Sequence, residues 1–159
     1  YGMAGLVLEL IQKLDNKVRP SFTIHPGISC IQLAASLAGS PLMNDFCAIS
    51  LSDKLTPWDI IEKRINGALL GDFVVAIFNP QSQERNWQLK KTIQMFLEKR
   101  KKVTPILIAR QVGRKDQKIS FSTLEDFPTS TIDMLTLVII GNSKTKLVDN
   151  KFISPRGYL

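Results

Sequence analysis

Residues 41–53 have the sequence Pro-Leu-Met-Asn-Asp-Phe-Cys-Ala-Ile-Ser-Leu-Ser-Asp, and Thr56-Pro57-Trp58 follows them closely. The run from Phe46 to Leu51 is typical of a β-strand, and the Ser-Asp pair behind it predicts a turn. Thr56 and Pro57 predict the start of a helix, with threonine as its cap and proline at its first position. Polar groups at such a junction are where open α/β sheets commonly bind ligands.

Strand-like and helix-like segments alternate on both sides of this stretch. Helices are predicted over residues 4–14, 30–37, 56–69 and 86–99, and a half-exposed edge strand over 118–122. The core strands are predicted at residues 46–51, 73–78, 104–109 and 134–140. This alternation predicts an α/β fold with a mostly parallel, mixed sheet flanked by helices, in which these four strands run in one direction.

The composition is that of an ordinary globular protein, with 44% hydrophobic and 22% charged residues. The sequence contains no apolar run of the roughly 18 residues that a membrane span needs, and no signal segment opens it. Two cysteines are too few for a disulfide scaffold, which favours a reduced, cytoplasmic setting. The chain starts at Tyr1 without a methionine, and helical periodicity is already present at Ala4, so we expect a segment of a longer protein.

The net charge of +7 is compatible with a nucleic-acid-binding α/β module. Much of the excess lies in Lys99-Arg100-Lys101-Lys102 and in residues 110–118. The first run is predicted to be the solvated end of a helix, where cations suit the helix dipole. Aromatic residues are not interleaved with either run, which argues against nucleic acid as the partner. A polycarboxylate ligand would be attracted by the same charge.

Small or polar residues follow three of the predicted strands. They are Asn79-Pro80 after Phe78, Gln111-Val112-Gly113 after Arg110, and Gly141-Asn142-Ser143 after Ile140. If the strands are parallel, these ends share one edge, where backbone groups would face a ligand. Asn-Pro and Gly-Asn are also common turn formers, so a purely structural role stays open.

Two aspartates and one glycine turn are further candidates. Asp45 and Asp53 bracket the strand at residues 46–51, where each would act as a base, hold a cationic group or only cap a turn. His25-Pro26-Gly27-Ile28-Ser29 predicts a strand-to-helix turn whose free N–H groups suit a carboxylate or a nucleoside edge. The two cysteines, Cys30 and Cys47, are expected to pack in the core, and their spacing does not predict a metal site.

Taken together, these stretches resemble the tetrapyrrole methylases of cobalamin biosynthesis. The resemblance extends over nearly the whole chain and is carried above all by Pro26-Gly27-Ile28-Ser29, residues 41–53, Phe78-Asn79-Pro80 and Gly141-Asn142-Ser143. Within the family, the sequence is most similar to the branch that methylates carbon 17 of precorrin-3B. A sister branch that acts at another macrocycle carbon is the near alternative.

The resemblance implies two α/β lobes with S-adenosylmethionine bound between them. Residues 1–42 would be the remnant of the N-terminal lobe, and residues 43–159 the C-terminal lobe. The implied reaction is methyl transfer to carbon 17 of precorrin-3B, or of its cobalt-containing counterpart cobalt-factor III, with contraction of the macrocycle. The implied assembly is a cytoplasmic homodimer that binds neither nucleic acid nor membrane.

The resemblance also implies site residues. The family's cofactor-contacting positions correspond to Tyr1, Gly2, Met3, Ser29, Cys30, Phe78, Asn79, Gln111 and Val112. Arg110 and Arg114 would suit the carboxylates of the macrocycle, and Asp45 and Asp53 are the candidates for a catalytic base. The family's glycine-rich loop, and the Gly-Asp pair that precedes its Tyr-Gly, are absent from this sequence. We therefore expect the chain by itself to bind S-adenosylmethionine weakly and not to turn over.

Overall fold

The computed structural model describes residues 2–158. Its helices are α1 (Gly2–Gln12), α2 (Cys30–Ala38), α3 (Trp58–Leu70) and α4 (Gln88–Lys99), with short 3-10 turns at Asn16–Val18 and Thr129–Thr131. Its strands are β1 (Gly39–Ser40), β2 (Phe46–Ser50), β3 (Val74–Phe78), β4 (Pro105–Arg110), β5 (Lys118–Thr123), β6 (Thr136–Ile140), β7 (Lys146–Val148) and β8 (Lys151–Ile153).

Local sequence explains where the helices begin and end. Ser29 caps α2 through a capping box, in which its hydroxyl accepts from the Gln32 N–H and the Gln32 side chain accepts from the Ser29 N–H. Gly39 ends this helix with a φ of 137°, a conformation open to glycine. α3 begins at Trp58, one residue after Pro57, the predicted first helical position, because Pro57 keeps an extended ψ of 146° and takes the capping position.

Strands β2 to β6 form a five-stranded mixed sheet in the order β2-β3-β6-β4-β5. β2 and β3 are parallel, whereas β6 is antiparallel to both of its neighbours, β3 and β4. β2, β3 and β4 therefore point in one direction, and β6 points in the other. The predicted α/β class, with a mixed sheet flanked by helices, is confirmed. The prediction that the strand within residues 134–140 runs parallel to the others is wrong.

The connection before β6 explains its direction. β4 and β5 form an antiparallel hairpin, so β5 ends with Thr123 opposite Pro105, beside the start of β4. Residues 124–135 then lead back to the opposite edge of the sheet, and Leu124 and Phe127 are buried on the way. β6 starts at that edge, with Thr136 opposite Arg110. Its continuous apolar sequence indicates burial on both faces, but burial does not fix direction.

Both faces of the sheet are covered. Side chains alternate along β3, so that Val75 and Ile77 pack in one apolar cluster while Val74 and Ala76 pack in another. The first cluster contains residues of α3, α4 and the segment 124–132. The second contains residues of α2 and Phe152, which belongs to the small sheet β1-β8-β7. This two-sided burial is why β3 is apolar at every position and β6 is apolar at every position after Thr136.

The N-terminal segment differs from the rest of the chain. None of residues 2–12, which form α1, is buried, and residues 12–30 are all exposed. α2, by contrast, buries Ile31, Ala34 and Ala38 against the sheet. The boundary at residue 42 stays a prediction.

Candidate functional site

A hollow lies where β3 and β4 end and β6 begins. Its volume is about 190 Å³, and we call it the strand-end hollow. It is lined by Cys30, Phe78, Asn79, Ala109, Gln111, Val112, Arg114 and the run Met134–Leu137. Five residues predicted to contact a cofactor, Cys30, Phe78, Asn79, Gln111 and Val112, are therefore brought together here. The parallel direction of β3 and β4 accounts for the shared edge.

Asn79 and Gln111 have the same unusual backbone conformation. Each is the first residue after its strand, and their φ angles are 48° and 51°. Left-handed backbone is uncommon outside glycine and clusters at binding sites. The Asn79 side chain donates to Ser50 Oγ at 3.0 Å, and the Gln111 N–H donates to the Leu135 carbonyl at 2.9 Å. Both turns are therefore held by bonds to neighbouring strand ends.

The ends of β2, β3 and β4 and the start of β6 form one edge of the sheet, which we call the rim. Arg85 lies behind this rim, a position that the sequence did not predict. Its side chain is 8% exposed, and its Nη1 donates to the carbonyls of Leu51 and Asn79. Its Nη2 lies 3.3 Å from Met134 Sδ. The signal available in the sequence was a lone arginine in the loop after β3, opposite Asp53 in the loop after β2. One cation thus connects three segments of the rim.

The two candidate bases lie at opposite edges of the sheet. Asp53 follows β2, where its Oδ2 accepts from Gln88 Nε2 at 2.7 Å and its Oδ1 lies 3.9 Å from Arg85 Nε. Asp45 precedes β2, is exposed, and accepts from the Val74 N–H through its carbonyl. Asp53 alone of these two lies at the sheet edge that carries the strand-end hollow, and neither lines the hollow, so the structure does not bring the pair together.

The two candidate arginines also differ in their surroundings. Arg110 Nε donates to Asp133 Oδ2 at 2.8 Å, while Arg114 is exposed and lines the strand-end hollow. Burial raises the pKa of Asp133, but hydrogen bonds from Thr136, Arg110 and the Leu135 N–H outweigh it and leave that pKa below its ordinary value. Asp133 therefore offsets much of the charge of Arg110.

Gly2 and Met3, two of the remaining cofactor candidates, lie in α1. Met3 and Ser29 line a second hollow of about 510 Å³, which we call the N-terminal hollow, together with residues 22–25. Gly2 is the first residue of α1. Tyr1 lies outside the described residues. Met3 and Ser29 therefore share a hollow with each other, and Cys30, adjacent to Ser29, belongs to the strand-end hollow.

The Gly141-Asn142-Ser143 turn does not join the site. It follows β6, which is antiparallel to β3, so it lies at the opposite edge from Asn79 and Gln111. There, Ser143 donates through its N–H and hydroxyl to the Asp72 carboxylate. The expectation that three strand ends share one edge is wrong for this third turn. β6 contributes its first residues, and not its last, to the edge that holds Asn79 and Gln111. Met134 and Leu135, which come just before β6, therefore line the strand-end hollow.

A third hollow adjoins the first. Its volume is about 560 Å³, it is lined by Lys54, residues 81–84 and residues 132–135, and we call it the loop hollow. Met134 and Leu135 line both this and the strand-end hollow. Among residues 2–158, no group of three His, Cys, Asp or Glu side chains is placed to hold a metal. None of the helices in that range is long and apolar enough to cross a membrane.

Known proteins resemble this chain over almost its whole length. It is 46% identical to the probable cobalt-factor III C(17)-methyltransferase of Salmonella typhimurium, covering 99% of this chain and 65% of that protein. It is 36% identical to the precorrin-3B C(17)-methyltransferase of Sinorhizobium sp, covering 94% of this chain and 59% of that protein. The chain thus spans just under two thirds of the length of these relatives.

Solved structures give the same relationship. The crystal structure of the methyltransferase CobJ matches with a TM-score of 0.90 and 37% identity, covering 96% of this chain and 64% of that one. A cobalt precorrin-4 methyltransferase, CbiF, matches with a TM-score of 0.60 at 20% identity, which bears on the fold alone. The family model described as Tetrapyrrole (Corrin/Porphyrin) Methylases matches residues 1–128. The chain belongs to the tetrapyrrole methylases.

Proposed function

We propose that this chain forms part of an S-adenosylmethionine-dependent methyltransferase that acts on carbon 17 of precorrin-3B or cobalt-factor III, with ring contraction, in cobalamin biosynthesis. The observation that carries the proposal is the strand-end hollow, where Asn79 and Gln111 meet in a chain 46% identical to a probable cobalt-factor III C(17)-methyltransferase. The names of the relatives supply the substrate, and the hollow supplies a place for the methyl donor.

The residues of the strand-end hollow fit part of S-adenosylmethionine. The amides of Asn79 and Gln111 suit the polar edges of a nucleoside, and Phe78 and Val112 suit its apolar faces. At about 190 Å³, the hollow is smaller than the roughly 300–1,000 Å³ of a typical ligand pocket. It would therefore hold one portion of the donor, and Ser29 and Met3 in the N-terminal hollow would hold another.

S-adenosylmethionine, when bound, supplies an activated methyl group. The task left for the protein is to position the acceptor carbon and to exclude water, which makes a site poor in histidine suitable. Asn79 and Gln111, whose turns are tied to Ser50 and Leu135, provide fixed positions for that purpose. We retain Asp53 as the first candidate base to substitute, because it lies at this edge, and Asp45 as the second.

The loop hollow is the best candidate for the tetrapyrrole. It is about three times as large as the strand-end hollow, at about 560 against 190 Å³, and shares the wall made by Met134 and Leu135. Lys54 on one side and Arg114 beyond the shared wall would attract carboxylates of the macrocycle. Arg110 contributes less than the sequence suggested, because Asp133 is its partner. The proposal includes a cytoplasmic homodimer, as the family resemblance implies.

The test is transfer of an isotopically labelled methyl group by the full-length protein. S-adenosylmethionine carrying a ¹³C methyl group is incubated with precorrin-3B or cobalt-factor III, and the labelled carbon is located by NMR. Label on carbon 17 supports the proposal, and label on another carbon identifies a sister methylase. Absence of transfer to either macrocycle by folded protein contradicts it. Light scattering on the same protein tests the homodimer.

A further inference from the structure

Arg85 is a buried cation whose side-chain hydrogen bonds all go to the rim of the site. Nη1 donates to the Leu51 carbonyl at 3.0 Å and to the Asn79 carbonyl, and Nη2 lies 3.3 Å from Met134 Sδ. Leu51 follows β2, Asn79 follows β3, and Met134 precedes β6. The guanidinium therefore connects three segments that are far apart in sequence.

The loop that carries Arg85 is shaped to turn this side chain inward. Ser82 and Arg85 exchange two backbone hydrogen bonds, at 2.9 and 3.3 Å, and the Arg85 N–H is also 3.2 Å from Ser82 Oγ. The nearest carboxylate, Asp53, is 3.9 Å from Arg85 Nε and is itself held by Gln88 at 2.7 Å. A buried charge needs such partners. Here two of the four side-chain partners are rim carbonyls, so the charge fixes where those carbonyls lie.

Arg85 helps to hold the left-handed backbone conformation of Asn79. Its φ of 48° is a strained region for a residue with a side chain, and such a conformation persists only where its surroundings hold it. The Arg85 guanidinium holds the Asn79 carbonyl, and Ser50 holds the Asn79 side chain. With both ends fixed, the part of Asn79 that lines the strand-end hollow keeps one orientation.

We propose that Arg85 is a positioning residue of the methyl-donor site, which it supports by fixing the Asn79 turn and the Met134 wall without itself contacting the ligand. This inference rests on the proposed function, because the strand-end hollow has to bind the donor for Arg85 to matter to it. The expected signature is a loss of donor affinity beyond what the loss of stability explains.

The chain offers a matched control in Arg100. Its side chain is 4% exposed, it donates to the carbonyls of Phe73 and Gly141, and it lies 3.7 Å from Asp72. Arg100 therefore has the same architecture as Arg85, with two carbonyls and one nearby carboxylate. It lies at the opposite edge of the sheet, away from the strand-end hollow. A general effect of removing a buried arginine will appear equally in both variants.

The experiment compares Arg85→Met, Arg85→Lys, Arg100→Met and wild type in the full-length protein. Melting temperature gives stability, and calorimetry gives the Kd for S-adenosylmethionine at a temperature where every variant is folded. We expect Arg85→Met to raise that Kd about tenfold, which corresponds to about 1.4 kcal/mol. Arg85→Lys should recover part of the loss, and Arg100→Met should lower the melting temperature while its Kd stays within about twofold of wild type.

Two results would overturn the inference. One is a Kd for Arg85→Met that matches that of Arg100→Met, and the other is an Arg85→Lys protein that fails to fold, which would make Arg85 a determinant of the fold alone. Failure of the proposed function looks different. In that case wild-type protein itself does not bind S-adenosylmethionine, whatever the variants do.

Discussion

Arg85 and Arg100 show how single residues depart from their expected places. Lys99-Arg100-Lys101-Lys102 was expected to be solvated, and Lys99, Lys101 and Lys102 are indeed exposed. Arg100 instead turns inward to backbone carbonyls, and Arg85 does the same at the other edge. Charged residues are seldom fully buried unless paired, so a sequence pattern assigns them to the surface by default. Arg85 and Arg100 are buried because each donates to backbone carbonyls at the ends of strands, and those carbonyls come together only in the folded sheet.

Asn79 gives the first prediction at this scale. Alanine at position 79 has to adopt a φ near 48°, which costs about 1–2 kcal/mol, whereas glycine adopts it freely. We expect Asn79→Ala to be less stable than Asn79→Gly by about 1 kcal/mol in urea unfolding. Both variants lose the bond to Ser50, so that bond cancels from the comparison. Equal stability of the two would show that the turn is not left-handed.

Asp133 gives a prediction about pH. Its pKa is raised by burial but lowered more by hydrogen bonds from Thr136, Arg110 and the Leu135 N–H, so the net shift is downward. A depressed pKa contributes stability that is present above the unfolded value, roughly 3.9, and is lost as pH falls through the folded value. Asp133→Asn should therefore be less stable than wild type at pH 7, and the difference should shrink below about pH 4.

The measurement for Asp133 is the urea midpoint from pH 7 to pH 3. Arg110→Gln is the companion variant, because it removes one of the hydrogen bonds that lower this pKa. It should reduce the pH dependence without abolishing it. A stability difference between Asp133→Asn and wild type that is constant over the whole range would contradict the assignment.

At the scale of elements, β6 decides which turns belong to the site. Because β6 runs antiparallel to β3 and β4, its first residues lie at the rim and its last residues lie at the opposite edge of the sheet. There Ser143 is bonded to Asp72, which comes just before β3. The Gly-Asn-Ser turn is therefore a connection between elements and not a part of the donor site.

Ser143→Ala tests this placement. The variant loses the hydroxyl bond to the Asp72 carboxylate, and we expect it to lower the free energy of unfolding by about 1 kcal/mol. The Kd for S-adenosylmethionine should not change in the full-length protein. A tenfold weaker Kd with unchanged stability would place the turn back in the site.

Two glycines give a matched prediction about helix geometry. Gly39 has a φ of 137°, and a Cβ there would lie 2.8 Å from the Phe152 carbonyl oxygen across the β1–β8 pair. Gly67, within α3, has no atom within 4 Å of its Cβ position apart from its chain neighbours and the nearby backbone of its own helix. Thermal unfolding should show Gly39→Ala destabilised by about 2 kcal/mol or more, and Gly67→Ala stabilised by about 0.5–1 kcal/mol. Similar effects for both would contradict the close β1–β8 contact.

At the scale of the whole molecule, the chain divides into a packed body and a poorly packed N-terminal segment. Met3 and Ile28 are 74% and 84% exposed, and none of residues 2–12 is buried. The sheet with its two layers holds the strand-end hollow, while the N-terminal hollow is formed by this exposed segment. The two portions of the proposed donor site therefore differ in how firmly they are held.

This division predicts a difference between residues 1–159 alone and a protein of the relatives' full length. The N-terminal hollow is lined by an exposed segment, so ordering it would cost binding free energy. We expect calorimetry to give a Kd for S-adenosylmethionine at least tenfold weaker for residues 1–159, with no methyl transfer to precorrin-3B. A folded 159-residue chain that binds as tightly as the full-length protein would contradict the prediction.

The sequence by itself determined where the core strands of this protein lie and which family the protein resembles. Hydrophobic periodicity located β2, β3, β4 and β6 to within about two residues. For β3, β4 and β6 the reason is that burial on both faces leaves an apolar run that no turn residue interrupts. It also indicated that Asn79 and Gln111 would meet, since both follow strands of one direction.

The tertiary structure alone decided the direction of β6, and with it the exclusion of Gly141-Asn142-Ser143 and the entry of Met134. The physical reason is that the direction of a strand depends on the edge of the sheet at which the preceding connection ends. Hydrophobic periodicity within the strand does not indicate which edge that is. Burial of Arg85 was likewise decided in three dimensions. The carbonyls of Leu51 and Asn79 are 28 positions apart in sequence but accept from one guanidinium, and only the folded sheet edge brings them together.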